Sequence, residues 1–157
     1  MRLRAKKGQR SSKADRLEYI REDGSTVEID MPRQGILPHD LVHCVVESEL
    51  GFTDGFMGVV ARGASPEFAA AKTLIHTDAL KIAESMVEAM QTQLAAGGFD
   101  YEAFQYGVRT ACHARGIGDP EIPDLRRSMI VFERASALNQ RWREKRPTET
   151  VEIEFPE

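Results

Sequence analysis

The stretch Pro38-His-Asp-Leu-Val-His-Cys-Val-Val-Glu47 sorts its residues in a way that only a one-sided helix satisfies. Wound at about 100° per residue, His39, Asp40, His43 and Glu47 fall within one arc of roughly 100°. Leu41, Val42, Cys44, Val45 and Val46 occupy the remainder. Such a helix buries one side and presents two imidazoles and two carboxylates on the other. Imidazole and carboxylate are ligand types for a divalent transition metal, and histidines four residues apart let one helix supply two ligands to one ion. The plainer alternative is a solvated polar face on an amphipathic helix.

The segments around it alternate between the two periods. Residues 16–31 read as a β-hairpin, and parity selects its turn. A two-residue Asp23-Gly24 loop would put Tyr19 on the opposite face from Val27 and Ile29. A three-residue loop, Glu22-Asp23-Gly24, pairs Tyr19 with Val27 and Leu17 with Ile29 and keeps the apolar set together; Gly suits its left-handed third position. Thr150-Val-Glu-Ile-Glu-Phe155 alternates in the same manner and is expected to add a third strand.

Between these strands the spacing predicts about four helices. The first spans 38–50 and stops near Gly51. A glycine-punctuated, irregular apolar loop over 51–64 follows. Ser65 then caps a long helix with Pro66 at its first position, running to Gly97-Gly98. Asp100 caps a third, with Phe99 and Phe104 placed as a hydrophobic staple and Gly116 at its end. The fourth runs from about Pro123 to Arg143, with Leu125, Met129, Phe132, Ala135 and Trp142 facing inward. The expected class is α+β: a small antiparallel sheet from both ends of the chain and a helical middle.

At 157 residues, with 41% hydrophobic and 29% charged, the composition is that of one ordinary globular domain. No apolar run approaches the ~20 residues needed to span a bilayer. The basic N-terminus has no apolar stretch behind it and is not a secretory signal. Cys44 and Cys112 lack a CxxC spacing and read as small buried or half-buried thiols in a reducing compartment. A cytoplasmic protein of bacterial type is the expectation.

Charge is unevenly spread. Residues 1–16 hold Arg2, Arg4, Lys6, Lys7, Arg10, Lys13 and Arg16 against Asp15, while the whole chain carries −4. Residues 1–15 therefore read as a flexible basic arm on a domain spanning 16–157. Nucleic acid is disfavoured as a partner, because no aromatic residues are interleaved to stack bases and no recognition motif follows. The basic run Arg141-Trp-Arg-Glu-Lys-Arg146 is explained by cations at a helix C-terminus, with an anion or partner patch as the alternative.

If the helix carries a site, His39 and His43 are its metal ligands. Asp40 is a ligand or a complement to the helix N-terminus, and Glu47 a ligand or a catalytic base. Asp54 is a further ligand if the glycine-rich loop folds back as a lid, with Phe56 lining a small pocket beneath; the alternative is a turn-former in Thr53-Asp54-Gly55, the loop being a plain connector. Zinc, or iron, fits two imidazoles and a carboxylate. His76 falls on the apolar arc of Ala79, Leu80, Ala83, Val87 and Met90 and reads as a core histidine; Glu84 reads as a solvated helix charge and His113 as surface. The functional expectation is a metal-binding protein or metal-dependent hydrolase or lyase. The alternative is a non-enzymatic module in which the same helix face recognises a protein partner or a second copy. GxxxxGK[ST], GxGxxG, HExxH and GxSxG motifs are absent.

The segment Pro38–Gly58, with Leu138, Trp142 and the alternating terminal strand, resembles a family of small uncharacterised bacterial proteins carrying a PHDLVHxVVE motif. That likeness covers most of the chain and implies no particular activity. His39-Asp40-Leu-Val-His43 is also similar to the HDxxH zinc motif of ubiquinone-biosynthesis proteins, which continues to a Glu eleven residues later. Here that position is Gly55, with Asp54 one place earlier.

Overall fold

In the computed structural model, which describes residues 1–70 and 77–156, both ends of the chain meet in one sheet. Strands β1 (Arg2–Lys6), β2 (Ala14–Ile20), β3 (Thr26–Pro32) and β4 (Thr150–Glu154) lie in the order β3-β2-β1-β4, antiparallel throughout. Leu17 pairs with Ile29 and Tyr19 with Val27, the register that parity requires. Gly24 closes the three-residue turn at φ 81°, and its N–H donates to Arg21 O.

The first strand corrects the reading of residues 1–15 as a flexible arm. Met1, Leu3 and Ala5 alternate with Arg2, Arg4 and Lys6, the former buried and the latter outward. Period-2 alternation of this kind makes a half-buried strand. The outward cations answer acidic neighbours across the sheet: Arg4 bonds Glu152 (2.7 Å) and Glu18 (3.0 Å), and Arg16 pairs with Glu28 and Asp30. Much of the basic run is thus one side of a cross-strand charge pattern.

The helices cover the sheet's apolar face. They are α1 (His39–Leu50), α2 (Phe56–Ala61), α3 (Pro66–Ala70), α4 (Asp78–Ala96), α5 (Tyr101–Ala114) and α6 (Leu125–Glu144). Helix α1 packs on α4 and α6, and α4 on α5. Leu3, Leu17, Tyr19, Met31, Leu41, Met86, Phe104 and Trp142 belong to one continuous core. Among the described residues no helix is long and apolar enough to cross a membrane.

Capping explains the boundaries. Asp100 accepts from Ala103 N and Asp124 from Arg127 N, each offsetting one of the N–H groups a helix start leaves unpaired. Phe99 and Phe104 lie with ring centroids 5.7 Å apart, as a staple should. Three departures stand out. The supposed loop 51–64 contains α2. The single helix drawn from Ser65 to Gly97 is broken, because Thr77 takes an extended conformation and caps α4 by accepting from Leu80 N. In α6 the buried positions are Ser128, Val131, Ala135, Leu138 and Trp142, whereas Leu125 is exposed.

Candidate metal centre

The polar arc of α1 faces α4 rather than solvent. A helix ending in a left-handed Gly51 (φ 72°) and starting at Pro38 sets the register, and His39 and His43 then project across the α1–α4 seam. There they meet Glu84. His39 Nε2 lies 3.1 Å from His43 Nε2 and 3.2 Å from Glu84 Oε1, and His43 Nε2 lies 3.0 Å from Glu84 Oε2. Two ligand atoms held about 2.1 Å from one ion stand roughly 3.0 Å apart at right angles and 3.4 Å apart at tetrahedral angles. The two imidazole nitrogens, and each imidazole with its own oxygen of Glu84, lie within that interval, and one ligand atom from each of the three residues lies within 4.8 Å of the others. Among the described residues, this triad is the group of ligand atoms close enough to hold one ion.

The far side of each imidazole is fixed. Glu47 Oε2 accepts from Met57 N (2.9 Å), and Glu47 Oε1 accepts from His43 Nδ1–H (2.8 Å). Gln91 Nε2 donates to Gln34 Oε1 (2.9 Å), which leaves Gln91 Oε1 to accept from His39 Nδ1–H (3.0 Å). With both Nδ1 atoms donating, each neutral ring presents a lone pair at Nε2. Two nitrogen lone pairs and a carboxylate therefore converge with no donor between them. The centre requires a cation, either a proton or a metal.

In the absence of metal the cation is a proton. Burial works against the charged form of His43, but hydrogen bonds to Glu47 and Glu84 and their negative charges outweigh it, holding the ring up at about 9. His39 is raised as well: burial opposes the charge, and the bond to Glu84 prevails. The Glu84 carboxyl, though burial raises it, is held far below its ordinary range by the two rings. Cys44 lies outside this group of ligand atoms, and burial pushes its thiol up to about 12.

A pH dependence follows. A group whose pKa is raised on folding stabilises fully below its unfolded value, about 6.5 for His, and loses that contribution as pH climbs through the folded value. In chelator, the melting temperature should fall from pH 6.5 to 9 as His43 loses its proton. Zinc affinity should rise over the same interval, because metal and proton compete for Nε2. Calorimetric melts with and without zinc read both slopes; a metal-free melting temperature that climbs from pH 6.5 to 9 would contradict the assignment.

The four residues offered as ligands or base from the sequence separate here. His39 and His43 are central. Asp40 lines the small cavity of about 160 Å³ in front of the cluster, together with Phe56, Ala69 and Leu80. The Tyr19 hydroxyl is buried close to Asp40, and that burial, with the nearby charge, pushes its pKa upward. Glu47 is in contact with His43 but is 0% exposed with both oxygens engaged, so it stands behind the ring and not at the cavity. Asp54 is not brought in: it is 71% exposed and paired with Arg62. The loop does bend tightly, as a Cβ on Gly55 would sit 2.3 Å from Glu47 Oε2. Phe56 is the part of it that covers the cluster, its ring 5.1 Å from that of His43.

Glu84 is the carboxylate that sequence reasoning set aside. Its signal was the stripe Leu80, Glu84, Val87, Gln91, spaced like a helix-packing seam yet half polar. His113 is on the surface beside Asp119, as expected. His76 lies outside the described residues.

No protein-family model, curated protein or solved structure matches this chain.

Proposed function

We propose that this chain binds a divalent transition metal, zinc or alternatively iron, through His39 Nε2, His43 Nε2 and Glu84, and uses it in hydrolysis or a lyase reaction on a small molecule. The observation that carries this reading is the convergence of three acceptor groups at 3.0–3.2 Å. Two imidazoles and one carboxylate leave coordination positions open, the pattern of catalytic rather than closed structural sites. Such an ion supplies a bound water with a pKa lowered to about 7.

The protein's own groups divide the remaining work. Glu47 and Gln91 fix each ring with Nε2 forward, as carboxylate or amide partners of metal-bound histidines do. Asp40 replaces Glu47 as the candidate base, since it reaches the cavity and Glu47 does not. Phe56 and Leu80 supply apolar walls that limit water. The cavity is small, about 160 Å³, and beyond the three ligand residues and Asp40 its walls are apolar, which favours a substrate whose reacting part is compact.

Elemental analysis of protein purified without an affinity tag or chelator tests the reading. About one equivalent of zinc or iron per chain is expected, restored after stripping by one of the two metals. His39→Ala and Glu84→Ala should each reduce it to background. Metal below roughly 0.2 equivalents, unresponsive to reconstitution, would leave the cluster as a charge-paired helix contact and reject the proposal.

A further inference from the structure

Two basic runs from opposite ends of the chain meet in one cavity of about 410 Å³, away from the histidine cluster. Lys7 and Arg10 enter from the β1–β2 connection, Arg33 from the residue after β3, and Arg143 and Lys145 from the end of α6. Asp15 is the lone carboxylate among the lining residues. This concentration of positive charge arises on a chain whose net charge is −4.

The cavity is built, not incidental. Asp15 is 2% exposed, and its Oδ1 accepts from Gly8 N (2.8 Å) and Arg33 Nε (3.1 Å), while Oδ2 lies 4.0 Å from Lys7 Nζ. One buried carboxylate thus positions two cations without neutralising five. Arg33 also donates to Gln9 O (2.8 Å), and it crosses so close to Gly8 that a Cβ there would sit 2.8 Å from its Nη2. Lys7 Nζ is 4.2 Å from the centre of the Trp142 ring, and burial, together with the neighbouring Arg33 charge, lowers its pKa against the opposing pull of Asp15. Among the described residues, Arg10, Arg143 and Lys145 have no carboxylate within 4 Å. Their charge is available to a ligand.

We propose that this cavity binds a small phosphorylated molecule through its phosphate group. Guanidinium forks and ammonium groups converging on one concave space are the chemistry that recognises a phosphate oxyanion. The volume matches the range of small-molecule sites. An extended nucleic acid fits less well. The neighbouring sheet face carries Glu18, Glu28, Asp30 and Glu152, and Trp142 is buried under Lys7, so the described lining of the cavity offers no aromatic surface for stacking bases. The proposal does not depend on the metal reading, since the two sites share no lining residue.

Isothermal titration of the full chain with inorganic phosphate, glycerol 3-phosphate and glycerol tests it. Runs with and without chelator separate phosphate held by a metal at the histidines from phosphate held here. Glycerol 3-phosphate should bind once per chain in chelator, and glycerol not at all. Arg10→Glu and Arg143→Glu, both at exposed positions with no carboxylate partner, should each weaken that binding at least tenfold with circular dichroism unchanged. No binding at millimolar ligand, or affinity unaltered in both variants, overturns the proposal. So does tighter binding of a 20-nucleotide single-stranded RNA than of the ester, with the steep salt dependence of a polyanion contact.

Discussion

Deleting residues 1–6 should abolish the cooperative thermal transition of this protein. The deletion removes β1, an interior strand whose two edges are both occupied. Its loss exposes the edge of β2 and strips β4 of the strand it pairs with. Leu3 and Ala5 leave the core outright, and Val151 and Phe155, buried through β4, lose the backbone that holds them there. Each large apolar side chain withdrawn from a core costs about 2–5 kcal/mol, before the unpaired ladder groups are counted. Folding stability is about 5–15 kcal/mol in all, so the sum exceeds what a chain of this size can lose. Far-ultraviolet circular dichroism on heating, with Trp142 fluorescence as a second probe, reads the result. A sigmoidal melt within about 5 °C of the intact chain would return these residues to the status of a dispensable arm.

That strand also shows where the sequence was legible and where it was not. The hairpin register followed from parity alone, because shifting by one residue would have sent Val27 and Ile29 to the wrong face. In β1 the same alternation was present, yet Arg2, Arg4 and Lys6 drew the reading toward a solvated tail. What Arg4 needed was Glu18 and Glu152, and sequence distances of 14 and 148 residues hid both. The break at Thr77 was obscured in the opposite manner, by apolar spacing that continued across it; the cap itself, Thr77 to Leu80 N, is the kind of local signal that overrides periodicity.

The site divides along the same line. A single helix supplies His39, His43 and Glu47, so their common face could be read from the spacing. Glu84, Gln91 and Gln34 come from elsewhere, and only the packing of α4 on α1 selects them. Asp54 failed for a local reason. The close approach of Gly55 to Glu47 turns the adjoining side chain outward, where Arg62 holds it. The basic cavity likewise required the fold, since Lys7 and Lys145 are remote in sequence and become neighbours only when β1 and β4 pair.

Substitution of Glu47 should separate its two tasks, one in stability and one in orienting His43. Glu47→Ala leaves the Met57 N–H and His43 Nδ1 without their partner in a fully buried position, and opens a cavity against Gly55. Removing one member of a buried charged pair costs about 3–5 kcal/mol, which for a chain of this length lowers the melting temperature by roughly 6–20 °C. Glu47→Gln nearly preserves the shape and isolates the second task. Its amide oxygen can still accept from Met57 N–H, but its NH₂ then faces His43 Nδ1 and demands a lone pair there. The imidazole must shift its proton to Nε2, the atom that points at His39 and Glu84. Zinc affinity should therefore fall at least 10–100-fold, the usual penalty for losing such a partner, with a smaller loss of stability than in Glu47→Ala. Competition titration against a zinc indicator measures the first effect and calorimetry the second. If Glu47→Gln binds zinc as tightly as the wild type, the carboxylate does not set the tautomer, and its burial is a matter of packing alone.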